Sequence, residues 1–103
     1  MDFVPSPNNQ FVTWLANLST VIGANFADYG VSAGLKNELV DAAAAVASIW
    51  PTINNPGSRT SVSIQSFNEA RITAEALARQ VNAFAQAFPA SNENLASAGL
   101  PIR

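Results

Sequence analysis

Apolar residues in the first quarter of the chain recur at intervals of three and four positions. This spacing is typical of a helix with one buried face. Ser6 and Pro7 precede the series, and a serine N-cap followed by proline in the first helical position favours helix initiation. The pattern predicts a helix over residues 7–26, with a buried face formed by Phe11, Trp14, Leu15, Leu18, Val21, Ile22 and Phe26.

A second apolar series follows Gly30, with Ser32 as its predicted N-cap. It contains Leu35, Leu39, Ala42, Val46 and Ile49, and this alternation of four and three positions predicts a helix over residues 33–50. Pro51 and the turn-forming residues 54–58 predict that the helix ends or kinks at Trp50. The connection over residues 51–62 is then long for a helical bundle.

The third helix is predicted to begin near Ser63, with Ser66 and Glu69 as an alternative capping box, and to stop at Pro89. Its predicted buried side is formed by Ile64, Phe67, Ala70, Ala74, Leu77, Ala78, Val81, Phe84 and Phe88. Ser91 can cap a short helix over residues 92–98, which Gly99 ends.

No segment has the length and alternation of a strand in a sheet. We therefore expect an all-α protein, an antiparallel three-helix bundle with a short C-terminal fourth helix. A chain of 103 residues has room for one core, so residues 1–103 are expected to form a single helical-bundle domain.

The composition mainly affects what is expected of the protein surface. Hydrophobic residues make up 49% of the chain and charged residues only 12%, about half the usual share. The five basic residues are spread between Lys36 and Arg103, so nucleic-acid binding is not expected. Residues 3–27 contain no charged residue but are too polar for a membrane span, and Asp2 stands where a signal peptide has basic residues. The compartment is left open.

The chain has neither His nor Cys, the commonest general base and the best nucleophile. We expect no enzyme activity, no catalytic residue, no cofactor and no metal site. Glu38 and Asp41 lie one helical turn apart and suit acid–base chemistry or a hard cation, but a solvated helix edge is the simpler interpretation. Arg71, Glu75 and Arg79 form a ladder at intervals of four, which suits a phosphate or, more simply, local ion pairs.

Two helices carry small apolar residues on the sides that face away from the predicted core. A continuous apolar surface on a small protein often marks a contact site. Together with Trp50, whose role the sequence leaves open, these residues form the candidate interaction set: Val40, Ala44, Ala47, Trp50, Ile72, Ala76, Ala83 and Ala87.

The run from Val62 to Val81, VSIQSFNEARITAEALARQV, resembles the third helix of a bacterial family of small, uncharacterised helical-bundle proteins. Residues 11–15, 28–32 and 98–103 are similar to the same family. The resemblance implies a compact bundle, which in relatives is often followed by a Pro-rich linker and a fibronectin-like β module. It implies no activity and no functional residues.

The sequence thus favours a non-enzymatic structural or interaction module, a subunit or accessory protein of a larger assembly such as a bacterial surface structure or a phage particle. Its partners would be other proteins or further copies of itself. One alternative is a free-standing module that binds a ligand or peptide with the 51–62 loop and Trp50. Another is a hydrolase that works with carboxylates.

Overall fold

The computed structural model describes residues 3–88 and 91–101, and about 80% of them are helical with no strand. Its elements are α1 (Asn8–Asn25), a 3₁₀ turn (Phe26–Tyr29), α2 (Ala33–Asn54), α3 (Ser61–Ala87) and α4 (Asn92–Ala98). α2 packs against both α1 and α3, and α4 packs against α1. The predicted all-α bundle with a short fourth helix is confirmed.

The first helix begins one residue later than predicted. Pro7 is extended, with φ −63° and ψ 134°, so it is the N-cap rather than the first helical residue. Its carbonyl oxygen accepts from the Phe11 N–H at 2.9 Å, which is the first bond of the helix. No side chain caps this end, so the predicted capping role of Ser6 is wrong.

The second helix continues through Pro51 to Asn54, and the predicted end at Trp50 is wrong. A proline ring inside a helix removes one backbone bond, here the one to the Ala47 carbonyl. Ile53 is buried in the core, and its burial favours the extra helical turn despite this loss. The connection is consequently limited to residues 55–60.

The third helix begins at Ser61, before the predicted Ser63. Thr60 is its N-cap and accepts from the Ser63 N–H at 3.1 Å, while the Ser63 hydroxyl accepts from the Thr60 N–H at 2.8 Å. This reciprocal pair takes the place of the predicted box at Ser66 and Glu69. Phe88 ends the helix in an extended conformation, and Pro89, the predicted stop, lies outside the described residues.

The buried faces depart from the predicted series at several positions, two of which are neighbours of a predicted residue. In α2, Ala43 is buried, whereas the predicted Ala42 is only half-buried. In α3, Ala85 is buried, whereas the predicted Phe84 is half exposed. A strict alternation of three and four positions averages 3.5 residues per turn, and a straight helix of 3.6 residues drifts about 20° per heptad from it. The predicted rows therefore rotate out of the core along a long helix.

The C-terminal segment is held by side chains from three other elements. Leu95, Ala98 and Leu100 enter the core. Four side-chain donors reach main-chain carbonyls of this segment: Tyr29 Oη to Asn94 at 2.6 Å, Asn17 Nδ2 to Ser97 at 2.9 Å, Trp14 Nε1 to Gly99 at 3.0 Å and Gln86 Nε2 to Pro101 at 2.8 Å. The bonds from Trp14 and Asn17 fix α4 against α1, and the bond from Gln86 holds the residues after α4 against α3.

Two glycines have the left-handed backbone conformation that ends a helix. Gly30 (φ 69°) follows the 3₁₀ turn, and Gly99 (φ 76°) follows α4. Each also lies against an aromatic side chain: an added Cβ would stand 2.6 Å from Phe88 Cβ at position 30 and 2.9 Å from Trp14 Nε1 at position 99. Both sites therefore require glycine for conformation and for space.

Candidate interaction surface

Large apolar side chains are exposed along α3. The exposed fractions are 74% for Val62, 40% for Ile64, 66% for Ile72, 50% for Phe84 and 42% for the capping residue Phe88. Within residues 3–88 and 91–101, every large apolar side chain that is substantially exposed belongs to this helix or its cap. α3 therefore buries one face in the bundle and presents apolar groups to solvent elsewhere.

The outer face of α3 contains the second half of the candidate interaction set. Ile72, Ala76, Ala83 and Ala87 are all exposed, as predicted from their positions opposite the buried row. At 100° per residue they lie on the side of the helix away from Ala74, Ala78 and Ala85. Because the side chains of the three alanines are small, another protein can approach the backbone of this face closely.

The α2 members of the set lie elsewhere. Val40, Ala44 and Ala47 line a shallow groove of about 260 Å³ together with Ala16, Ser19 and Thr20 of α1. Val40 is half-buried there, whereas Ala44 and Ala47 are exposed. The candidate residues of α2 thus face the α1 side of the bundle and do not extend the outer face of α3.

Trp50 is half-buried and packs on Phe67, with ring centroids 5.6 Å apart and an angle of 40° between the planes. It fixes the end of α2 against the start of α3. The connecting segment is shorter than predicted and its turn is closed internally, because Asn55 Oδ1 accepts from the Gly57 N–H at 3.0 Å and Ser58 Oγ donates to Thr52 at 3.1 Å. The long 51–62 loop of the alternative hypothesis is not present.

Glu38 and Asp41 are exposed and stand at an open groove of about 560 Å³ between α2 and α3. Thr73 and Gln80 supply its other polar groups, and Ala42 and Leu77 its apolar ones. No group of three His, Cys, Asp or Glu able to hold a metal ion occurs in the part of the chain that the structure describes.

Arg71 has a role that its ladder pattern does not reveal. Its guanidinium pairs with Glu75 at 3.5 Å, but it also donates to Asn8 Oδ1 and to the Pro5 carbonyl, both at 2.7 Å. The same group lies 4.2 Å from the centroid of the Phe11 ring. Arg71 therefore joins α3 to the segment that begins α1. Its guanidinium already bonds three protein groups, so few of its N–H donors are available to a phosphate.

Tyr29 is the clearest case of a perturbed ionisable group. Its ring is buried and its hydroxyl donates to the Asn94 carbonyl at 2.6 Å. Burial, and then the negative charge of Asp28, raise the pKa of the phenol above its ordinary value of 10.0. The group is a neutral hydrogen-bond donor that holds α4.

Four exposed residues were missed by the sequence pattern. Val62 belongs to the first turn of α3, and Ile64, Phe84 and Phe88 are exposed although they were predicted to be buried. Counting 3.6 rather than 3.5 residues per turn from Phe67 places Ala85 inside and Phe84 outside, so the exposure of Phe84 was present in the spacing.

No helix within the two described ranges combines the length and apolar character needed to cross a membrane. No protein-family model, curated protein or solved structure matches this chain. The resemblance of residues 62–81 to a bacterial helical-bundle family therefore stays a prediction.

Proposed function

We propose that this protein is a non-enzymatic interaction module, a subunit or accessory protein of a larger assembly such as a bacterial surface structure or a phage particle. The observation that carries the proposal is the exposure of apolar side chains along α3, with Ile72 at 66% and Val62 at 74%. Covering these side chains with another protein would remove them from water, which favours association.

Fully burying one valine or isoleucine side chain contributes roughly 1.5–3 kcal/mol, and this gain offsets part of the free-energy cost of association. The charged share of 12% also favours contact, because few ionised groups have to lose water.

The reactive groups support the same proposal. The chain has no His and no Cys, so its chemistry would depend on groups such as Glu38 and Asp41. Both carboxylates are exposed at an open groove, a setting that lacks the water exclusion on which carboxylate catalysis depends. A binding role needs none of these groups.

Site-specific photocrosslinking tests the proposal. A photoreactive residue at Ala83, on the outer face of α3, should form a covalent adduct with an identified protein in the cells that naturally produce the chain. The control position is Asn37, which is also exposed but lies on α2. The Ala83 adduct should disappear when Ile72 is changed to Lys in the same chain.

Three results would decide against the proposal. They are an absence of protein adducts from Ala83, equal adducts from Asn37, and adducts that persist in the Ile72→Lys chain. The fold of each variant is checked first by its helical circular dichroism signal and cooperative melt, because Ile72 is exposed and its substitution should leave both unchanged.

A further inference from the structure

The outward side of α3 carries a second regular row, directly opposite the buried one. Its members are all exposed and recur at intervals of four and three positions: Gln65, Glu69, Ile72, Ala76, Arg79 and Ala83. This interval keeps the six side chains on one face of the helix, so a single partner helix can contact all of them.

The order of charges within the row fits a second copy of the same helix in the antiparallel direction. Glu69 lies three residues before Ile72, and Arg79 lies three residues after Ala76. When an identical row is laid against it in the opposite direction, with the two-fold axis midway between Ile72 and Ala76, each Glu69 faces an Arg79 of the second copy. In a parallel pair in register, by contrast, Glu69 would face Glu69 and Arg79 would face Arg79.

The same alignment also matches side-chain sizes. The large Ile72 of one copy falls opposite the small Ala76 of the other, so the two helices approach closely without a clash, and Gln65 falls opposite Ala83. α3 has 27 residues and is about 40 Å long at 1.5 Å per residue, so the overlap covers most of the helix. The two ion pairs then lie on either side of an apolar centre formed by Ile72 and Ala76 of both copies.

We propose that this row binds a second copy of the chain, with the two α3 helices antiparallel and Glu69 of each copy paired with Arg79 of the other. The proposal rests on the proposed function, since the row shares Ile72, Ala76 and Ala83 with the outer face of α3, and it names a partner for that face. The contact is isologous, the form that two-fold dimers take.

Charge reversal tests the partner and the direction together. The dimer dissociation constant of the purified full chain is measured by sedimentation equilibrium for the parent, Glu69→Arg, Arg79→Glu and the variant with both substitutions. Each single reversal places like charges opposite each other twice and should weaken the dimer about tenfold or more. The double reversal restores opposite charges and should recover most of the affinity.

Glu38→Arg is the matched control, because it makes the same charge change at an exposed position on α2 and should leave the dissociation constant unchanged. A parent that stays monomeric at millimolar concentration overturns the proposal, as does a double variant no tighter than the single ones. If photocrosslinking from Ala83 identifies a different protein in place of the chain itself, the interaction module stands and the self-pairing falls.

Discussion

Replacing Gly99 by alanine should destabilise the protein by about 2 kcal/mol. Gly99 has φ 76°, and a side chain in the left-handed region costs about 1–2 kcal/mol. The new Cβ would also stand 2.9 Å from Trp14 Nε1 and disturb the bond that this nitrogen donates to the Gly99 carbonyl, worth about 0.5–1.5 kcal/mol. The lower entropy of the unfolded alanine chain returns about 0.4–1 kcal/mol.

The loss corresponds to a melting temperature lower by roughly 8–16 °C, measured by circular dichroism. Two comparisons separate its causes. Gly99→Asn should fall between parent and alanine, because asparagine tolerates the left-handed region but still brings a Cβ. Gly34→Ala, where no atom lies within 4 Å of the added Cβ, should stabilise the helix by about 0.5–1 kcal/mol. A Gly99→Ala protein as stable as the parent, alongside the expected Gly34→Ala, would refute the reasoning.

Three further outcomes are expected. Phe67→Asp buries an unpaired charge and should abolish the cooperative melt, while Gln80→Asp at an exposed site should leave it within about 0.5 kcal/mol; equal tolerance of both would contradict the bundle. The pKa of Tyr29 is raised in the folded state, so its contribution to stability is complete below pH 10.0 and is lost as the pH rises from there through the raised value. Urea unfolding at increasing pH should show this fall in the free energy of unfolding, and Tyr29→Phe should remove the part of the pH dependence that comes from Tyr29. Tyr29 is the single tyrosine, so tyrosinate absorbance reads its titration directly, and an unshifted titration would contradict its burial. Arg71→Met should cost about 1–3 kcal/mol in urea unfolding, with Arg71→Lys recovering only part, because lysine lacks the fork that bonds two acceptors; full recovery by lysine would show that charge alone matters.

The fold was accessible from the sequence because apolar spacing and capping residues act locally. Ser32 and Ser91 cap α2 and α4 as predicted, and Gly99 ends α4. The errors arose where a distant contact outweighs a local preference. Proline at position 51 favours a helix end, but the burial of Ile53, which depends on the rest of the core, extends α2 past it.

The interaction surface was only partly accessible. Ile72 lies opposite the buried row by any count, so its exposure follows from the sequence alone. Phe84 and Phe88 lie near the edge of that row, where a small error in the helical repeat moves a residue from inside to outside over six turns. Arg71 could not be assigned, because its partners Asn8 and Pro5 are more than sixty positions away and no local pattern connects them.

The four side-chain hydrogen bonds that hold the C-terminal segment all have main-chain oxygens as acceptors. Substitutions within the segment therefore disturb these bonds less than substitutions of the donor residues do. Changing Asn94 or Ser97 to another residue that keeps the helix leaves the accepting carbonyl in place, whereas changing Trp14, Asn17, Tyr29 or Gln86 removes a donor outright. The exposed side of α4 is thus free to take a new sequence while its docking is preserved by residues on the elements beneath it.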